Sequence, residues 1–268
     1  MLKDITLGQY FPGNSIAHKL DPRTKILLVT LYIIALFSAK GWMGYAVMAV
    51  TLAACVKVSH VGLRALVRGL KPLVFIIAFT GILNMFFTPD THYLWEWGIL
   101  RVSVKGIENA LFMVIRIMLL VMGTFLMTYT TSPIRLTDGL ESLLNPLKKI
   151  RVPVHELAMM MAIALRFIPT LIEETDKIMS AQKARGADFD SGNIFQKAKA
   201  LVPILVPLFI SAFRRADELA TAMECRCYHG GEGRTKLHVL KYQRRDYVSL
   251  AGGVVILALV VVLRRLGA

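Results

Sequence analysis

Five apolar runs, each close to a bilayer in length, limit what this chain can become: residues 26–39, 42–56, 72–87, 107–129 and 247–263. A straight helix needs roughly 20 residues to cross the hydrocarbon core. Several runs are shorter, so the flanking Lys25, Lys40 and Lys57 have to carry their ammonium groups back to the interface on extended stems. The first two runs can also be read as a shallow hairpin or one broken helix. The wider composition agrees with lipid as the solvent: 55% of residues are hydrophobic and the mean hydropathy is +0.56, well above an ordinary soluble domain.

Lysine and arginine orient the spans, because loops rich in them stay in the cytoplasm. Residues 1–25 carry Lys3, Lys19, Arg23 and Lys25, and the loop after the second run carries Lys57, Arg64, Arg68 and Lys71 with no acid among them. Both belong inside. The turn at Lys40 and Gly41 then lies outside, as does the loop 88–106, where Asp90 and Glu96 offset Arg101 and Lys105. The long stretch 131–246 is placed in the cytoplasm. An odd number of spans sends Arg264 and Arg265 outward, against the rule, so the last span is the weakest part of this topology. No apolar run precedes residue 26, and no cleaved signal peptide is expected. The formal net charge of +14 suits cytoplasmic loops and anionic headgroups. No zinc finger, RNA-binding signature or basic helix repeat points to nucleic acid. Cys55, Cys225 and Cys227 are odd in number and offer no disulfide framework.

The stretch 131–246 is too polar to span and too apolar to be a linker, so helices are expected. Ser132-Pro133 opens a short one that stops near Asn145-Pro146. Pro153 opens a second, running to Arg185 with Gly186 as its C-cap. Asn193 or Ser191 caps a third that ends near Arg226. Helices of thirty-odd residues are on the order of 50 Å long. Their first halves, 157–168 and 201–213, are nearly all apolar and are expected against the membrane domain or in its interface. Their second halves alternate charged with small or apolar residues and are expected in the cytosol. Pro169, Pro203 and Pro207 each remove a helical hydrogen bond and are expected to bend their helices. Kinked transmembrane helices are the second reading, disfavoured by Arg166, by the prolines and by the polar ends.

These two helices finish on one pattern. Ala181-Gln182-Lys183-Ala184-Arg185-Gly186 and Ala222-Met223-Glu224-Cys225-Arg226-Cys227 are 41 positions apart. In that register Asp176 lies over Asp217, Ile178 over Leu219 and Ser180 over Thr221. Each motif sets an arginine between small residues at a helix end, where a guanidinium's rigid fork of donors can enter a groove on another protein. A cation at a helix C-terminus also complements the macrodipole; the repetition, in a membrane protein, favours docking. Cys227 lacks glycine's tolerance for a left-handed conformation, which leaves Gly230 and Gly231 as an alternative helix end. Glu173, Glu174 and Asp176 share a register with Arg214, Arg215 and Asp217, so the helices can pair charges if they cross, although surface pairs contribute little.

The tandem arginine motifs, the run Gly8-Gln9-Tyr10-Phe11-Pro12-Gly13-Asn14-Ser15 and the following His18-Lys19-Leu20-Asp21-Pro22-Arg23-Thr24-Lys25 resemble the transmembrane T component of energy-coupling factor (ECF) transporters. The similarity covers essentially the whole chain and includes Tyr228-His229-Gly230-Gly231-Glu232-Gly233-Arg234-Thr235. The second motif departs from the family's Ala-Arg-Gly, reading Cys225-Arg226-Cys227; both replacements are small. The resemblance implies two partner ATP-binding-cassette (ABC) ATPases and a small membrane S component that captures a vitamin or a transition-metal ion. It also implies that Ala184, Arg185 and Gly186, and Cys225, Arg226 and Cys227, dock the ATPases. The expected fold is all-α: a polytopic membrane protein with about five transmembrane helices and a cytoplasmic domain of long coupling helices. Its segments are 1–25, 26–130, 131–246 and 247–268. The expected location is the cell membrane, with the N-terminus and coupling domain cytoplasmic.

Met113, Met118, Met122 and Met127 lie along the fourth run, and Met159, Met160 and Met161 in the apolar half of the second long helix. Most methionines fill cores, but flexible thioethers also suit surfaces that accept several partners. Met113, Met118, Met122, Met159, Met160 and Met161 are therefore candidate S-component contacts. Catalysis has little support. The nearest approach to a Walker A loop, Gly233-Arg234-Thr235, has arginine for lysine and Tyr228 where the first glycine belongs. No Ser/His/Asp or HExxH arrangement occurs. The chain is expected to be a non-enzymatic subunit without a cofactor of its own, ATP being bound by partners. No metal site is expected, since a set of Cys225, Cys227, His229 and His238 explains the pattern less well than small residues framing an arginine. The alternative function is a self-contained secondary carrier, which calls for ionisable groups or broken helices at mid-bilayer and repeated halves. Only Arg116 is an internal charge in the early spans, either a partner contact or a snorkelling side chain. An intramembrane enzyme comes third and lacks a catalytic pair.

Overall fold

The computed structural model of this chain describes residues 10–88, 93–97, 100–187, 189, 193–230 and 239–266. The fold is all-α in class, with one small hairpin. A single turn, α1 (Ile16–Lys19), leads into α2 (Pro22–Ser38), which has proline at its first position and Asp21 as N-cap, the carboxylate accepting the Arg23 N–H at 2.9 Å. Next come α3 (Gly41–Ser59) and α4 (Leu63–Leu70), the latter passing through a 3₁₀ turn (Lys71–Leu73) into α5 (Val74–Phe87). Strands β1 (Tyr93–Trp97) and β2 (Leu100–Ser103) pair antiparallel, with Glu96 opposite Arg101. Ser103 then caps α6 (Val104–Thr130). The hairpin falls in the loop 88–106, which the charge pattern places outside; Tyr93, Trp95 and Trp97 are good strand formers.

The remaining helices are α7 (Pro133–Leu144), with a 3₁₀ continuation (Asn145–Ile150), α8 (Val154–Ala184), α9 (Ile194–Cys225) and α10 (Arg244–Arg265). The boundaries expected at Ser132-Pro133, Asn145-Pro146 and Pro153 are found. At the start of α9, Asn193 is the N-cap and its N–H donates to Gln196 Oε1 at 3.1 Å, half of a capping box; the alternative cap, Ser191, lies outside the described residues. Both long helices run unbroken through their prolines, Pro169 in α8 and Pro203 and Pro207 in α9.

Contacts divide the chain into two units, one formed by Gly8–Gly139 with Leu240–Ala268 and the other by Leu140–Val239. In the first, α6 is the hub that α2, α3, α4 and α5 pack against, and α10 covers α2 and α3. Leu36, Met48, Leu66 and Val260 are fully buried there. Close approach at the hub depends on Gly123: a Cβ would stand 2.5 Å from the Tyr32 ring, whose hydroxyl donates to the Leu119 carbonyl at 2.9 Å. The outer surface is strongly apolar, with Phe75, Ile76 and Phe79 on α5 exposed. Such a patch is a liability in water and is matched by lipid.

Among the described residues, five helical segments are long and apolar enough to cross a membrane: Gly41–Ser59, Leu63–Phe87, Val104–Thr130, Val154–Ala184 and Arg244–Arg265. Four correspond to runs read from the sequence. The fifth is α8, whose first half is the apolar part, whereas α2, read as the first span, has 17 residues and is short for a straight crossing.

Candidate functional site

The second unit is built on α8 and α9, of 31 and 32 residues, or about 47 Å each. Both end in the same hydrogen-bonded cap. At the end of α8, the Gly186 N–H donates to the Lys183 carbonyl and the Ala187 N–H to the Gln182 carbonyl, each at 3.0 Å, with Gly186 left-handed at φ 88°. At the end of α9, the Cys227 N–H donates to the Glu224 carbonyl at 2.8 Å and the Tyr228 N–H to the Met223 carbonyl at 3.0 Å. Both are Schellman motifs. Cys227 adopts φ 54°, so the helix ends there and not at Gly230, which turns later at φ 96°; Gly231 lies outside the described residues. The two carbonyls satisfied by the cap outweigh a left-handed cysteine, whose cost is about 1–2 kcal/mol.

The cap turns the chain sharply after each arginine and leaves both tips in the open. Ala184, Arg185 and Gly186 are exposed, as are Cys225, Arg226 and Cys227. Neither guanidinium has a hydrogen-bond or ion-pair partner among the described residues. The arrangement presents two cations with small neighbours, able to accept carboxylates or carbonyls from another molecule.

The expected charge register is realised by one pair. Arg215 donates to Glu174 Oε2 from Nη2 at 3.0 Å and from Nε at 3.3 Å, and the Ser211 hydroxyl donates to Glu174 Oε1. This links α8 and α9 partway along their charged halves. In the same unit His155 meets Glu141 at 3.0 Å, joining the starts of α7's last turn and α8. Met160 and Met161 are exposed and Met159 half-buried on α8, while Met113, Met118 and Met122 are half-buried on α6, with Met122 packed against the core. The two methionine groups lie in different units. Among the described residues no three His, Cys, Asp or Glu side chains are placed to hold a metal; His238 lies outside them.

Three arrangements were missed by sequence reasoning. The first explains the N-terminal motif, of which Gly8 and Gln9 lie outside the described residues. His18 is buried, its Nε2–H donating to the Phe11 carbonyl at 3.0 Å and its Nδ1 hydrogen-bonded with the Ser15 hydroxyl at 2.6 Å. A Cβ on Gly13 would strike that ring at 2.8 Å, so the motif is a turn folded around the histidine ring. The second is Asp246, 1% exposed. Its Oδ1 accepts from the Asp21 N–H at 2.9 Å and its Oδ2 from the Gln243 N–H at 2.8 Å, fastening α10 to the start of α2. Beside it, the Asp21 carboxylate pushes the Arg23 guanidinium's pKa upward, and that group lies 4.2 Å over the Tyr242 ring. An acid three residues after a cap was the available signal. In the third, Arg116 donates to the Tyr45 hydroxyl from Nη2 at 2.6 Å and from Nε at 2.9 Å.

A sequence model of the family described as "CbiQ: Cobalt transport protein" matches residues 13–237. Among similar proteins, one from Ruminiclostridium cellulolyticum is 52% identical over 263 residues, covering 98% of both chains. One from Acidaminococcus fermentans is 56% identical over 265 residues, 98% of this chain and 97% of the relative. One from Bacillus subtilis is 46% identical over 264 residues, 98% of this chain and all of the relative. Each carries the name energy-coupling factor transporter transmembrane protein EcfT.

Proposed function

This chain belongs to the CbiQ transport-protein family as a transmembrane component of an energy-coupling factor transporter, and from that premise we propose that it couples two ABC ATPase subunits to an S component. The S component captures a vitamin or a metal ion, and the ATPases supply the energy by binding and hydrolysing ATP. The observation that carries the proposal is the pair of open arginine tips, Arg185 and Arg226, on matching caps of two long helices. Each tip enters one ATPase. When the ATPases close on nucleotide, the tips move, and the Glu174–Arg215 link makes α8 and α9 respond together. Their apolar first halves, with Met159, Met160 and Met161, pass that motion to the S component at the membrane; Met113, Met118 and Met122 on α6 are a separate candidate contact for it.

In this reading the N-terminus and residues 131–246 face the cytoplasm, where ATP is found. The chain itself binds no nucleotide and performs no chemistry. Tyr45's hold on Arg116 supports this over a self-contained carrier, because the intramembrane cation then has a structural partner. The test is charge reversal: Arg185→Glu with Arg226→Glu is expected to abolish co-purification with the ATPases and substrate uptake, while membrane insertion and yield stay normal. Recovery of both ATPases at the wild-type ratio would count against the proposal.

A further inference from the structure

The unit formed by Gly8–Gly139 and Leu240–Ala268 contains a groove of about 360 Å³ between α1, α2, α3, α6 and α10. Its walls are apolar along nearly their whole length, with Leu28, Leu52, Val58, Leu126 and Ile256 among them, and Gly252 leaves one side open. A helix surface in a bilayer cannot leave such a space empty, since a void forfeits the contacts its walls would make with lipid chains.

The groove's polar end holds positive charge without a matching acid. Lys25 lines it, buried, with Nζ donating to the Thr130 carbonyl at 2.8 Å and the Thr131 hydroxyl at 3.0 Å. An ammonium has three donors, so one is left over. Among the described residues no carboxylate pairs with it. The positive charge of Arg135 acts on Lys25 in addition, and the carboxylate whose field reaches it, Asp246, is already engaged by the N–H groups of Asp21 and Gln243. One turn before the groove-lining Ser249, the Arg245 Nε is buried without a hydrogen-bond partner among the described residues. Buried cations ordinarily require a counter-charge.

We propose that this groove binds one anionic phospholipid, an acyl chain lying along the apolar walls and the phosphodiester beside Lys25 and Arg135. Apolar length with charge at one end is the chemistry of a lipid and not of a soluble anion or an apolar partner helix. The lipid would fill the seam between α10 and the rest of the bundle.

The test is native mass spectrometry of the full-length chain, delipidated in nonionic detergent and offered equal amounts of dioleoylphosphatidylglycerol and dioleoylphosphatidylethanolamine. The wild type is expected to retain one phosphatidylglycerol in preference to phosphatidylethanolamine. A Cβ at position 252 meets nothing within 4 Å, so Gly252→Leu fills the groove without disturbing the backbone and is expected to lose the adduct about tenfold. Arg135→Gln, at an exposed position, is expected to keep a lipid but lower the preference for the anionic headgroup about fivefold, the weight of one basic residue near an anionic surface. Equal retention of the two lipids by the wild type would overturn the proposal, and so would an undiminished adduct on Gly252→Leu.

Discussion

Replacing Asp246 by alanine strips the acceptor from two backbone N–H groups at once, a buried one at Asp21 and a part-buried one at Gln243. The carboxylate is 1% exposed and receives the Asp21 N–H at 2.9 Å and the Gln243 N–H at 2.8 Å. A hydrogen bond to a charged group contributes about 1.5–3 kcal/mol, and an orphaned buried donor also loses its solvation. The two bonds share one carboxylate and are not fully additive, so a loss of about 3–5 kcal/mol is expected. For a chain of this size each kcal/mol moves the midpoint by roughly 2–4 °C, which puts the drop on the order of 10 °C. Asp246→Asn keeps one oxygen and turns an amide N–H₂ toward the other donor, so it is expected to lose at least half as much. Thermal denaturation of the detergent-solubilised chain, followed by tryptophan fluorescence, measures this. Hydrogen exchange at the Asp21 and Gln243 amides locates it. If Asp246→Ala melts with the wild type and those amides stay protected, α10 is held by apolar packing alone and the latch is incidental.

The link between the long helices is testable by a double-mutant cycle on Glu174→Gln and Arg215→Gln. The pair is partly exposed, with side chains 23% and 37% accessible, so a small favourable coupling is expected; zero coupling in both stability and ATP-driven uptake would remove it from the transmission path. The two caps should respond in opposite directions. Gly186→Ala meets no neighbour and its cost is purely conformational, about 1–2 kcal/mol, read as faster hydrogen exchange in the last turn of α8. Cys227→Gly relieves a left-handed residue and should slow exchange at the end of α9; a slower α8 or a faster α9 would contradict the assignment of the caps.

The parts legible in the sequence were those whose signals are local. Proline at a first helical position, an Asn or Ser cap and a Gly after a helix announced α7, α8 and α9 within a residue or two, because capping is decided by a few neighbouring dihedrals. The 41-residue register placed Arg185 and Arg226 at equivalent tips, and it also put Glu174 against Arg215. What escaped depends on contacts between distant residues. Asp246 meets Asp21 across 225 positions, and Arg116 finds Tyr45 across 71; neither pairing leaves a pattern in one sequence. Cys227 misled for another reason. Intrinsic preference argued against a left-handed cysteine, but the Schellman bonds to the Met223 and Glu224 carbonyls outweigh that preference, and the second motif keeps the geometry of the first.

The docking of the arginine tips can be observed without altering them, because Cys225 and Cys227 flank Arg226 and both are exposed. The measurement is the rate of alkylation of these two thiols by a charged maleimide, resolved by peptide mass spectrometry, in the isolated chain and in the assembly purified with its ATPases. Fast labelling in the isolated chain and strong protection in the assembly, lost again in Arg226→Glu, is the predicted result. Equal labelling rates in both states, with the ATPases present and bound, would contradict the claim that this helix end is seated in a motor subunit.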